Sequence, residues 1–169
     1  HGFNRHLGWA NTVSKPALTD IYRLTVTPDN DRLYELDGEW HDFEEERALL
    51  RIKLFGPFAL KVRQPVLRSD HGPVIQAPHG TYAVRYAGMA EIRQLEQYVR
   101  LNLATNWDEF SAAMGLNALP SINYVYADKD GTTAFIHNGQ YPDRLPGWDW
   151  HADLPGNRSD LIWQDYIPY

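Results

Sequence analysis

The sequence predicts an α+β fold, antiparallel and β-rich with two helices, and three features carry that expectation. Apolar and polar residues alternate through residues 20–86 with turn residues between the runs, which is the strand period of two. At Ala90 a period of 3.6 replaces the alternation. Two β-branched and aromatic runs then flank Lys129-Asp130-Gly131, the composition of a hairpin. A single core is expected, because 169 residues at 43% hydrophobic and 22% charged match one domain of ordinary size.

The first strand is read from DIYRLTVT at 20–27, with Ile21, Leu24 and Val26 among polar neighbours. PDNDR follows as a turn, and LYELDGEWHDF places Asp37-Gly38 between short apolar runs, a strong hairpin signal. ALLRIKLF and FALKVRQPVL continue the strands on either side of Gly56-Pro57. AEIRQLEQYVRLNLA then puts Ile92, Leu95, Tyr98, Val99 and Leu103 on one helical stripe. Asn106 can cap a second helix whose first turn carries Asp108 and Glu109, where the helix dipole favours negative charge, and Gly115 ends it. SINYVYAD and TTAFIHNG form the closing hairpin. Residues 140–169, dense in Pro, Gly, Asp and Trp, read as an irregular segment that packs against something else.

Composition removes several classes of function. No window approaches eighteen apolar residues, and the opening HGFNRHLGW lacks the basic head and apolar run of a signal peptide, so the chain reads as mature or cut, with no membrane as partner. Sixteen basic against 22 acidic side chains give −6, and Lys and Arg are scattered along the sequence, so nucleic acid is not expected as a partner. With no cysteine there is no disulfide, thiolate nucleophile or zinc-thiolate site.

The residues by themselves show no complete catalytic set. No two of the seven histidines are four residues apart and no HExxH occurs, so a helical metal site has no support. His71 and His137 lie near glycines, where a turn-stabilising hydrogen bond is the commoner role. None of the five serines sits in GxSxG or SxxK, and the acidic run DFEEER reads as a solvated face rather than a glycosidase pair. Asp149 between Trp148 and Trp150 admits a sugar platform, hence an alternative reading as a carbohydrate-binding module, or an aromatic loop packed on a neighbour.

Four ordered stretches change the picture: GFNRHLGWANTV at 2–13, SDHGPV at 69–74, LEQYVRLNLATNWDEFSAAM at 95–114 and INYVYADKDGTTAFIHNGQYPDR at 122–144. Together they resemble the penicillin acylase family of N-terminal-nucleophile hydrolases, and within it the N-acyl-homoserine-lactone and glutaryl-cephalosporin acylases. The resemblance implies an amidohydrolase built as a four-layered αββα sandwich, of which this chain is an internal fragment of the β chain. Residues 1–19 would be the oxyanion-hole segment, 20–89 an antiparallel β excursion, 90–115 the two helices, 119–139 the hairpin and 140–169 a loop segment. The nucleophilic serine that opens a family β chain lies ahead of His1, and the second oxyanion donor, an asparagine, lies past Tyr169.

By the same resemblance the backbone N–H of Val13 is an oxyanion-hole donor, and His1, Asn11, Tyr98 and Ile122 line the acyl pocket. Ile122 and Tyr98 also sit on the buried period of their own elements. No cofactor is required. Some members hold a structural calcium, for which Asp20 matches a carboxylate ligand and Trp150 a main-chain carbonyl, while Ala17 stands where another carboxylate would be. The implied partners are the remaining α and β chain segments of one precursor and a small-molecule acyl amide, in a periplasmic or secreted location. Large apolar surfaces awaiting absent segments are the expected symptom.

Overall fold

A computed structural model describes residues 1–28 and 30–169. The chain opens with strands β1 (Gly2–Phe3), β2 (Leu7–Val13), β3 (Thr19–Leu24), β4 (Val26–Thr27) and β5 (Asn30–Leu36). It continues through β6 (Glu39–Asp42), β7 (Glu44–Phe55), β8 (Phe58–Ser69), β9 (Gly72–Ala77) and β10 (Gly80–Tyr86). Helices α1 (Gln94–Leu103) and α2 (Trp107–Met114) follow, then β11 (Ser121–Asp128), β12 (Thr133–Gly139) and the short β13 (Leu154–Pro155). Instead of the single core expected, two units result, each with its own core, the first of residues 1–18, 86–144 and 163–169, the second of 19–85 and 145–162. The expected turn at PDNDR includes Asp29, which lies outside the described residues.

Unit 1 is an antiparallel sheet in the order β1-β2-β11-β12 with both helices on one face. Side chains alternate along a strand, so every second residue faces the helices. Leu7 and Trp9 of β2, Tyr124 and Tyr126 of β11 and Ile136 of β12 form that row and meet Leu101, Phe110, Ala113 and Met114. On the opposite sheet face Val125 and Phe135 are exposed. Asn106 caps α2 as its residue type predicts, accepting the Glu109 amide at 2.9 Å.

Most of the apolar stripe expected to anchor α1 faces outward instead, Tyr98 alone of its five residues packing on the core. Ile92 precedes the helix, Leu95 is 80% exposed and Leu103 72%, while α1 buries Gln97 and Leu101. Counting hydrophobic residues selects the wrong face because Gln97 is fully hydrogen-bonded, and a satisfied amide can be buried without the penalty of an unpaired one.

Unit 2 holds a six-stranded sheet in the order β13-β3-β10-β9-β8-β7 and a three-stranded sheet β4-β5-β6. DIYRLTVT is not one strand: β3 ends at Leu24, and Val26–Thr27 pair with β5 in the other sheet. Its period of two holds, but the inward row is Asp20, Tyr22 and Leu24, and Ile21 lies on the other face. Tyr22 takes the inward place because its hydroxyl donates to the Leu161 carbonyl at 2.8 Å. The Asp37-Gly38 hairpin forms as read, with φ of 52° and 84° at its two central residues, the positive values of a type I′ turn.

The irregular tail contributes β13, which runs parallel to β3, with the Gly156 amide bonded to the Arg23 carbonyl at 2.9 Å. A Cβ at Gly156 would stand 2.5 Å from Leu24 Cδ2 and 2.8 Å from the Arg23 carbonyl oxygen. Gly156→Ala is therefore expected to cost about 1–3 kcal/mol through overpacking. A urea midpoint unchanged from the parent would contradict that close approach.

β7 and β8 form a ribbon of twelve-residue strands around Gly56-Pro57, with the Phe55 and Phe58 rings 5.1 Å apart at its tip. Pairing sets Arg51 opposite Lys61 and Leu49 opposite Arg63 on one face, Leu50 opposite Val62 and Ile52 opposite Leu60 on the other. The cations that look scattered in sequence thus gather on one side of the ribbon, and most of its apolar residues are exposed. These residues and the outer face of α1 present exposed apolar surface.

Candidate acyl-binding and oxyanion site

Five of the seven residues singled out from sequence belong to unit 1, where β2 positions Val13 and Asn11. Antiparallel register sets Val13 opposite Ile122, Asn11 opposite Tyr124 and Trp9 opposite Tyr126, so each pair shares a sheet face. Val13 ends its strand with its side chain 73% exposed. β1 pairs with Gly8 and Trp9, and among the described residues the β2 edge beyond Trp9 carries no ladder from that side. His1 is exposed, and its amino group donates to Asn11 Oδ1 at 3.4 Å.

Tyr98 on α1 completes an aromatic wall behind these residues. Its ring lies 6.2 Å from that of Trp9, which is 5.7 Å from Tyr124. Tyr98 and Ile122 both pack against the unit 1 core. Burial above all, with the Tyr98 hydroxyl as neighbour, pushes the Tyr124 phenol well above the usual tyrosine range. Tyr124 is thus a neutral group at any working pH and offers no general base.

Trp9 and Tyr124 escaped selection from sequence although both stand in the quoted stretches. The available signal was alternation: Tyr124 follows Ile122 by two residues, and Trp9 precedes Asn11 by two. Gln97 and Asn138 gave no such signal.

Asp20 and Trp150 belong to unit 2. Asp20 is buried, 2% exposed. Trp150 packs on the unit 2 core and its Nε1 donates to the Leu145 carbonyl at 3.0 Å. A calcium requires six to eight oxygen ligands. Among the described residues no group of three His, Cys, Asp or Glu side chains assembles.

In unit 2 Trp148 and Trp150 are partly buried against the core, and the Arg158 guanidinium lies over the Trp148 ring at 5.4 Å. His71 makes no turn-stabilising bond through its ring: it is fully buried with neither nitrogen partnered, its ring 4.6 Å from that of Tyr22.

The penicillin amidase family model matches residues 1–169. The chain belongs to the penicillin amidase family. Among relatives, it is 28% identical over 152 residues to the acyl-homoserine lactone acylase PvdQ of Pseudomonas putida, covering 83% of this chain and 19% of that protein. Penicillin G acylase of Escherichia coli is 25% identical over 172 residues, covering 99% of this chain and 20% of that protein. Thermostable penicillin G acylase from Alcaligenes faecalis has the same fold, with a TM-score of 0.83 and 24% identity over 99% of this chain and 30% of that one. The chain therefore spans about a fifth of the length of the curated penicillin amidase relatives it matches, and its β-rich, two-helix fold is that of the acylase neighbour.

Proposed function

We propose that the chain is a section of the β chain of an N-terminal-nucleophile acylase that hydrolyses a linear amide, releasing an acyl chain from an amine such as a homoserine lactone or a β-lactam nucleus. The observation that carries this reading is the family match over all 169 residues, combined with Val13 ending β2 directly opposite Ile122. In the complete enzyme a serine from outside these residues attacks the amide carbonyl, and its own α-amino group takes the hydroxyl proton. That proton passes to the departing amine as the C–N bond breaks. Water then attacks the acyl-enzyme, and the fatty or aromatic acid leaves as the serine is regenerated.

In this scheme the Val13 amide donates to the oxyanion of both tetrahedral intermediates, while Ile122 and Tyr98 hold the acyl group and Asn11 and His1 border it. The second donor, an asparagine, comes from another segment. A preorganised donor of this kind is worth about a hundredfold in rate. The location would be periplasmic or secreted, which fractionation of the native host checks.

The test is hydrolysis of an N-acyl-homoserine lactone and a phenylacetyl amide by the complete gene product. Val13→Pro removes the N–H and is expected to lower kcat about a hundredfold with little change in melting temperature. Full activity in a folded Val13→Pro enzyme would refute the assignment of that donor. The 169-residue chain alone is expected to show no turnover, and turnover surviving replacement of all its serines would refute the proposed division of labour.

A further inference from the structure

We infer that Gln97 and Asn138 form a positioning pair that locks the register of the strands carrying Ile122 and Val13. The inference rests on the proposed role of Val13 for its consequence in catalysis, but the register lock follows from unit 1 alone.

Both side chains are fully buried. Gln97 Nε2 donates to Asn138 Oδ1 at 2.8 Å, Asn138 Nδ2 donates to the Met114 carbonyl at 3.0 Å, and Gln97 Oε1 accepts the Ala118 amide at 2.7 Å. One amide pair therefore ties α1, the end of α2, the connection into β11, and β12 together. Ala118 stands three residues ahead of Ser121, so its anchored amide fixes where β11 begins. The far side of that entry is fixed as well. The Gln140 amide bonds the Pro120 carbonyl at 3.0 Å, and a Cβ at Gly139 would stand 2.8 Å from that same oxygen.

The pair lies in line with the proposed donor. Asn138 on β12 is the register partner of Ile122 on β11, and Ile122 is the register partner of Val13 on β2. A slip of one residue would turn Ile122, Tyr124 and Tyr126 from the helix side to the other face. Burial of the tyrosines already opposes that slip, but a slip of two residues keeps the faces and non-directional packing resists it weakly, whereas a buried pair with defined donors and acceptors is satisfied in one register only. Neither side chain ionises or reaches the sheet edge at Val13, so both act through the strands and neither is catalytic.

The measurement is amide hydrogen exchange on the 169-residue chain with Gln97→Met, which keeps the volume and removes the bonds. Exchange is expected to rise about tenfold or more at residues 11–13 and 121–123 while the central pairs around Tyr124 and Tyr126 keep their protection. Uniform acceleration across the sheet, or none at residues 11–13, would overturn the lock. Should Gln97→Met fail to fold, Asn138→Leu, which leaves Gln97 its bond from Ala118, is read in the same way.

In the complete enzyme the same substitution should lower kcat about tenfold with KM within about twofold, and the swapped pair Gln97→Asn with Asn138→Gln should restore it. An unchanged kcat with a lowered melting temperature would reduce the pair to a stabilising role. If the unsubstituted enzyme hydrolyses no acyl amide, the proposed function fails, and the exchange result still decides the lock.

Discussion

Phe110→Ala should lower the stability of the chain by about 3–5 kcal/mol, the largest single loss expected from a substitution here. Phe110 is fully buried on α2, and its ring lies 4.7 Å from Tyr126 and 6.4 Å from both Trp107 and Tyr124. Truncation removes the transfer energy of the ring and leaves a cavity whose walls are themselves rigid aromatic rings, which collapse poorly into it. At about 2–4 °C per kcal/mol for a chain of this size, the melting temperature should fall on the order of 10 °C. Leu95→Ala is the matched control: at 80% exposure it should change stability by about 0.5 kcal/mol or less. Equal losses from the two substitutions would show that the outward stripe of α1, rather than the face with Gln97, packs on the sheet.

Acidification should remove about 3 kcal/mol of stability through one residue, His71. Its burial first of all, with the nearby Arg85 cation acting in the same sense against the opposing Asp70 carboxylate, pushes the imidazole down to about 4 from 6.5. The unfolded chain takes up a proton that the folded chain refuses, so unfolding is favoured as pH falls. This penalty is absent above about pH 6.5, grows through the window down to about pH 4, and is complete below it. Chemical unfolding of the parent and His71→Leu at intervals between those values isolates the effect. A difference in stability between the two that stays constant across the window would disprove it. Residues 19–85 should lead the loss in hydrogen exchange, because the Tyr22 and Tyr34 rings against which His71 rests belong to that unit.

Strands and turns were legible wherever local chemistry decides the backbone. Asp37-Gly38 accepts positive φ at low cost, Asn106 offers an acceptor to a helix start, and the two runs about Lys129-Asp130-Gly131 pair across β11 and β12 as expected. Faces were legible only in part. For α1 the more hydrophobic face is the outward one, and in β3 Tyr22 rather than Ile21 faces in, because Gln97 and Tyr22 find partners that sequence does not display. All seven candidate site residues were chosen by resemblance to known acylases. The register then gave Val13, Asn11 and Ile122 their spatial relation.

Read as a string, the chain already contains its antiparallel β-rich class, its two helices, its hairpin turns and its family, since these depend on residue types a few positions apart or on ordered blocks of similarity. Which side chains enter the cores, and which strands stand beside Val13, follow from hydrogen bonds between residues as distant as Gln97 and Asn138 or Tyr22 and Leu161. Such a bond cancels the cost of burying a polar group, and that cancellation exists only once the chain has brought donor and acceptor together.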